Sequence, residues 1–380
     1  MTDNRKSSFE GVRRTVVKVG SNVLTQAHGL NLKTIRSISR QICRLIESDL
    51  EVILVTSGAM ASGVKKVGLD KRPEEIPKRQ AVAAVGQAGL IMEYEKAFAR
   101  YHKKVAQILL TGDDLNNRKR YLNARNTLNM LLSWQVVPIV NENDTVMIEE
   151  IKFGDNDNLA AMITLLMDAD ILINLTDIDG LYNRDPRTNI DAEIIPIVST
   201  IRKDIKKMAG DIPGPLGTGG MLGKINSARK VTSAGIPMVI ANGNKPDILK
   251  KLFSGKEIGT FFVPKKKKLK SRKCWIAFTL QPKGVIKIDD GAANAILKRG
   301  KSLLPSGIVS VEGEFHTGAP VEFRKGDNET LGKGLVNYSS TDIRKIMGLK
   351  SNQIKKRLGY KPYDYVIHRD NLAITYENAL

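Results

Sequence analysis

Val136–Asn158 reads VVPIVNENDTVMIEEIKFGDNDN, and its reading decides the fold. It opens as VVPIV, a run short and β-branched enough to be a buried strand. The chain then breaks into Asn141, Glu142, Asn143 and Asp144, and further on into Asp155, Asn156, Asp157 and Asn158. Open α/β sheets take their ligands at the carboxyl ends of the strands. So many carboxylates and carboxamides at a strand exit point to a small polar substrate carrying an amino group. An Asx-rich turn accounts for the same residues, because Asn and Asp close turns on their own backbone. A calcium loop does not: after Asp155 and Asp157 the next ligand position is Leu159, and the required glycine is Ala160.

Working outward, Thr15–Gly20 (TVVKVG) reads as a first strand carrying Lys18. A lysine inside a short apolar strand is costly unless it meets an anion. In a central strand it faces the ligand crevice; in an edge strand it only discourages aggregation. Glu51–Gly58 (EVILVTSG) is a second buried strand. Its exit, Thr56-Ser57-Gly58, lets backbone N–H groups and the Ser57 hydroxyl approach an anion. No histidine stands near Ser57 and no GxSxG surrounds it, so it reads as a binder rather than a nucleophile.

Helical spacing follows over Asn31–Ser48, with Asn31 as N-cap, and over Gln80–Tyr101, Tyr121–Trp134 and about Asn158–Met167. Val105–Gly112 and Asp170–Tyr182 read as further strands, the latter with Thr176, Asp177 and Asp179 at its exit, and Asp113–Arg120 as a charged loop. Strands alternating with helices predict βαβ units and a mainly parallel sheet.

Gly214–Lys224 (GPLGTGGMLGK) precedes helical spacing over Ile225–Ala234. A Walker A loop needs glycine at Thr218 and Ser or Thr at Ile225. A dinucleotide fingerprint belongs after the first strand, not beyond the middle of the chain. What remains is a cluster of glycines and one lysine at a helix start, a nest of N–H donors suited to phosphates. A flexible surface loop is the plainer alternative.

The 380 residues accommodate one large α/β domain and a smaller one. No apolar run reaches the length of a membrane span, and the N-terminus lacks the apolar core of a secretory signal. Cys43 and Cys274 are too few for a disulfide framework, which points to a reducing cytoplasm. The four histidines lack ligand spacing, so no protein metal site is expected. A net charge of +20 favours anionic partners, though solvated lysines serve solubility equally well. The expected boundaries are an extension over 1–14, the α/β domain over 15–264, a basic linker over 265–274, a β-rich domain over 275–360 and a tail over 361–380. Few aromatics stand in that β-rich part to stack on bases.

Six motifs then occur in one order: Lys18-Val-Gly-Ser, Val55-Thr-Ser-Gly-Ala, Val140-Asn-Glu-Asn-Asp, Gly154-Asp-Asn-Asp-Asn-Leu, Leu175-Thr-Asp, and Gly217-Thr-Gly-Gly-Met with Lys224. Together they resemble the glutamate 5-kinases of the amino acid kinase family over essentially the whole chain, and the β-rich part resembles a PUA domain. The resemblance implies a three-layer αβα sandwich around a mainly parallel sheet. It also implies ATP-dependent phosphorylation of the side-chain carboxylate of L-glutamate, the entry to proline biosynthesis, with Mg2+ on the nucleotide. By the same resemblance Ser57, Asn141, Asp144, Asp155 and Asn156 bind glutamate. Lys18, Thr176, Asp177 and Thr218, Gly219, Gly220, Met221, Leu222, Gly223 and Lys224 hold ATP. Lys18, Lys224 and Asp157 are the catalytic residues. Implied partners are proline as feedback inhibitor, a second copy of the chain in a dimer or tetramer, and the next reductase of the pathway. Acetylglutamate kinase, aspartokinase and carbamate kinase share the scaffold, and RNA binding by the PUA-like part is a separate alternative. The Asp113–Arg120 segment is the expected relay of inhibitor sensitivity.

Overall fold

Lys18 lies on a central strand. In a computed structural model describing residues 5–26, 29–146, 156–202, 205, 208, 220–266, 268–326 and 329–375, strand β1 (Arg14–Val19) runs through the middle of an eight-stranded sheet. The other strands are β4 (Glu51–Val55), β5 (Val105–Leu110), β6 (Val137–Glu142), β7 (Ile171–Thr176), β8 (Ile197–Val198), β9 (Met238–Asn242) and β10 (Thr260–Phe262). β2 (Thr25–Gln26) and β3 (Gly29–Leu30) form a separate hairpin. The spatial order is β5-β6-β4-β1-β7-β9-β10-β8. Every neighbouring pair is parallel except β9 with β10. The carboxyl ends of β4, β6, β1, β7 and β9 therefore share one edge, as helical crossovers require.

The strands between these crossovers are apolar because both faces are covered. Val16, Val17, Ile53, Leu54, Ile171, Leu172 and Ile173 are almost fully buried. The helix Leu32–Glu47 begins where expected, with the Asn31 side chain accepting from the Thr34 N–H at 3.2 Å. Alternation of strand and helix is borne out.

Several local expectations change. Asp113–Arg120 is not a loop: Gly112–Asn116 and Arg118–Ser133 are helices, and Thr111 with Asp114 forms a capping box. The short helix Ala59–Val67 has no counterpart in the sequence reading. Its start needs glycine, since Gly58 sits at φ +104°, and a Cβ on Gly86 would stand 1.7 Å from the Ala59 carbonyl oxygen. Helices Ala59–Val67 and Ile76–Ala99 thus pack backbone against backbone. The helix expected from Ile225 begins at Met221, because Met221, Ile225, Ala228 and Val231 are all buried at helical spacing.

The chain divides into two compact units, Met1–Lys268 and Leu269–Leu380. The second contains a five-stranded sheet in the order β12-β11-β13-β14-β15 (Ile308–Glu312, Val285–Ile288, Pro320–Lys325, Glu329–Leu335 and Leu372–Ile374). Within the expected tail, Val366 and Ile367 are buried, and β15 pairs antiparallel with β14. The basic linker is also partly structured, since Ser271–Cys274 is helical and Cys274 is buried. In both places the apolar residues are too sparse to show a period in sequence.

Candidate active site

Three charged side chains from three elements meet at the carboxyl edge of the central sheet. Lys18 comes from β1, Asp157 from the first turn of the helix Asn156–Leu166, and Lys224 from the first turn of the helix Met221–Ser233. The Lys18 Nζ lies 2.5 Å from Asp157 Oδ1, and the Lys224 Nζ lies 3.0 Å from Oδ2. Asp157 is fully buried; Lys18 and Lys224 are 4% and 7% exposed. Burial pushes the Asp157 carboxyl up, but the two ammonium groups outweigh it and hold the group well below the usual carboxylate range. Two cations thus share one carboxylate in a buried site, an arrangement suited to a further anion.

Asn174, on β7, also donates to Asp157 Oδ1, at 2.7 Å. It pairs with Lys18 across the β1–β7 register. The sequence reading missed it, although an Asn in the middle of ILINL is a visible signal. At the exit of β7, Thr176 donates to Asp177 Oδ1 at 3.0 Å, and Asn22, just after β1, donates to Asp177 Oδ2 at 2.9 Å. Nearby, Asp179 is held by Lys245 at 2.7 Å and Asn242 at 2.9 Å. Gly220 caps the helix that carries Met221, Leu222, Gly223 and Lys224, with Met221 buried and Leu222 exposed. Thr218 and Gly219 lie outside the described residues, as does Asp155.

On the other side of β1, the Asn156 amide donates to the Ser57 hydroxyl at 3.0 Å, bringing together the exit of β4 and the helix after β6. The Asn156 Oδ1 is buried and has no hydrogen-bond partner among the described residues, so it offers an acceptor. Asn141, at the end of β6, donates to Gln87 Oε1 at 2.7 Å and accepts from the Glu142 N–H at 2.9 Å. Gln87 is another missed residue: it sits among alanines on a helix whose interior face shows only in three dimensions. Asp144 is half-buried in a short turn against the helix Ile76–Ala99. Burial raises its carboxyl, and the charges of Arg72 and Arg79 oppose the rise. Among the described residues no group of three or more His, Cys, Asp or Glu is placed to hold a metal ion.

Residues 13–242 match the amino acid kinase family, and residues 284–358 match the PUA domain. The glutamate 5-kinase of Syntrophus aciditrophicus (strain SB) is 50% identical over 374 residues, 98% of this chain and 97% of that one. The glutamate 5-kinase of Geobacter sulfurreducens is 49% identical over 371 residues, 97% of this chain and 100% of that one. Among solved structures, UMP kinase from Bacillus anthracis aligns with a TM-score of 0.46 at 15% identity, over 66% of this chain and 96% of that one. The chain belongs to the amino acid kinase family, and within that family it stands among the glutamate 5-kinases.

Proposed function

We infer that this chain transfers the γ-phosphoryl group of ATP to the side-chain carboxylate of L-glutamate, giving L-glutamyl 5-phosphate for proline biosynthesis. The observation that carries the reading is the pair of buried lysines bridged by one aspartate at the carboxyl edge of the sheet. A glutamate side chain titrates near ~4.3, so at neutral pH it is already an anionic nucleophile and needs no general base. The obstacle is bringing that anion to a negatively charged phosphoryl group. Phosphoryl transfer is governed by positioning and electrostatic stabilisation. Lys18 from β1 and Lys224 from the later helix bracket the transferring group, and Asp157 keeps both ammonium groups charged and aimed.

Ser57, Asn141, Asp144 and Asn156, with Asp155, hold glutamate, Asp144 pairing its α-ammonium. Thr176, Asp177 and residues 218–224 hold ATP. Asp157 is taken up by three donors. Magnesium would accordingly be carried by phosphate oxygens and water, where it neutralises charge on the phosphates. The acidic cluster favours a free α-amino group and speaks against N-acetylglutamate. The test is a hydroxamate assay for acyl phosphate with ATP, Mg2+ and, in turn, glutamate, N-acetylglutamate, aspartate and carbamate. Product with glutamate alone is expected; product only with another acceptor overturns the substrate assignment.

The same reading brings proline as inhibitor at or near the glutamate site, a homo-oligomer and the next reductase as partner. Exposed Val85 and Met92, on a helix uncharged from Gln80 to Met92, support a self-associating face. Proline titration and sedimentation test these points. No helix among the described residues is long and apolar enough to cross a membrane, and the buried thiols of Cys43 and Cys274 support a reducing cytoplasm.

A second reading concerns the second unit. The rings of Tyr363 and Tyr365 stack at 5.6 Å, and Tyr365 lies 4.7 Å from His368. Exposed Lys355, Lys356, Arg357, Tyr360 and Lys361 precede them in the chain. Aromatic steps beside cations suit single-stranded RNA. Salt-sensitive retention on single-stranded RNA, weakened by Tyr363→Ala, is the expected result; retention unchanged by that substitution overturns it.

A further inference from the structure

We propose that Asn174 is a positioning residue for phosphoryl transfer, fixing the Asp157 carboxylate so that one group can serve both lysines. The inference rests on the kinase reading above. Asn174 is completely buried in the middle of a central strand whose other residues are apolar or close the strand at its exit. An ionised carboxylate only accepts hydrogen bonds. The amide nitrogen of Asn174 must therefore be the atom facing Asp157 Oδ1, which leaves the carbonyl oxygen turned away. That Oδ1 is buried and has no hydrogen-bond partner among the described residues. A buried unpaired carbonyl is unfavourable, and an apolar residue of similar volume would remove the cost. Polar groups kept at such a cost in a core mark sites where function overrides stability.

The geometry states what that function is. Asp157 Oδ1 receives both Lys18 Nζ and the Asn174 amide, whereas Oδ2 receives Lys224 Nζ. With two donors on one oxygen from adjacent, in-register strands, the carboxylate plane cannot turn about its Cβ–Cγ bond. Its second oxygen stays aimed at the helix that brings Lys224. Without the amide, Oδ1 would rest, among the described residues, on Lys18, whose flexible four-carbon stem lets the carboxylate swing. The separation of the two ammonium groups would then vary, although a phosphoryl group must fit between them. Around Asp157 the charged groups among the described residues are Lys18 on β1 and Lys224 on the helix Met221–Ser233.

The test uses the full chain carrying Asn174→Leu and, separately, Asn174→Asp. Removing a hydrogen bond to a charged group should lower kcat about tenfold to a hundredfold. The KM values for glutamate and ATP should stay within about twofold, because uniform binding is untouched. Melting temperature should hold or rise. In Asn174→Asp, activity should be poor at neutral pH and recover as pH falls, when the introduced carboxyl gains a proton to donate. Unchanged kcat in folded Asn174→Leu overturns the proposal. So does a loss of activity that merely tracks a lowered melting temperature and shows no pH recovery in Asn174→Asp. Wild-type acyl-phosphate formation checks the kinase reading separately. Independently of turnover, the 15N signals of the Lys18 and Lys224 ammonium groups should shift in Asn174→Leu; unchanged signals contradict the proposal whatever the enzyme phosphorylates.

Discussion

The two units bury their polar groups very differently. In the first, Lys18, Asp157, Asn174, Asn141, Glu142 and Lys224 are buried among the strand exits and the helices that follow them. In the second, Thr279 and Ser340 are the only buried polar or charged side chains among the described residues. Its core is Ile286, Val321, Phe323, Leu331, Ile343 and their apolar neighbours. Its carboxylates pair near the surface, as Glu314 does with Arg344 and Glu322 with Arg324. A core without buried charge is stable and inert, whereas one that concentrates charge at a ligand crevice gives up stability for chemistry. On the proposed function phosphoryl transfer belongs to the first unit, and substitutions should separate the two regions.

The largest contrast is expected at Asp157. Asp157→Asn leaves two ammonium groups facing a neutral amide, and should lower kcat by about 10²–10³, the cost of losing one preorganised electrostatic contact. Breaking a buried ion pair should also destabilise the fold by about 3–5 kcal/mol. The sign with pH is fixed by its depressed carboxyl. The stabilisation is fully present above the unfolded value of ~3.9 and is lost as pH falls through the folded value. Acid unfolding of Asp157→Asn should accordingly show a shallower pH dependence than that of the wild type.

Phe323→Ala makes the converse test in the second unit. The side chain is fully buried, and its loss should cost about 3–5 kcal/mol in denaturant unfolding. Turnover per folded molecule should not change; a fall in kcat would carry the chemistry across the boundary between the regions.

Asp144→Ala should act on binding alone, raising the glutamate KM about tenfold to a hundredfold, with kcat and the ATP KM little changed. Because burial raises its carboxyl, the wild-type glutamate KM should begin to climb at a higher pH than an ordinary carboxylate would dictate, as pH falls. An ATP KM that responds instead would reverse the division of the site. The smallest effect belongs to Glu322→Gln in the second unit: a partly exposed pair should change stability by no more than about 1 kcal/mol and leave kcat unaltered.

Much of this was legible in the sequence. Lys18 was conspicuous because a lysine in TVVKVG needs a reason, and the Asn/Asp clusters marked the strand exits. The parallel sheet followed from alternation of strands and helices. Three things were hidden. Ala59–Val67 is too short to show a helical period. Gln87 matters through what it touches across 54 residues of chain, which no local pattern reports, and Asn174, visible as a polar residue in ILINL, gives no local sign of its partner 17 residues away. Val366, Ile367 and β15 were lost in a stretch whose apolar residues are isolated by charges. That two lysines 206 positions apart reach one carboxylate is a property of the fold, to which the residues themselves gave only a family likeness.

The most direct test is a double-mutant cycle on Lys18→Ala and Lys224→Ala, read as kcat in the hydroxamate assay. Each single substitution should lower kcat by about 10²–10³ with little change in the glutamate KM. The double variant should fall much less than the product of the two losses, because both lysines act on one phosphoryl group through one aspartate. Full kcat in either single variant, or strictly multiplicative losses in the double, would contradict a shared clasp.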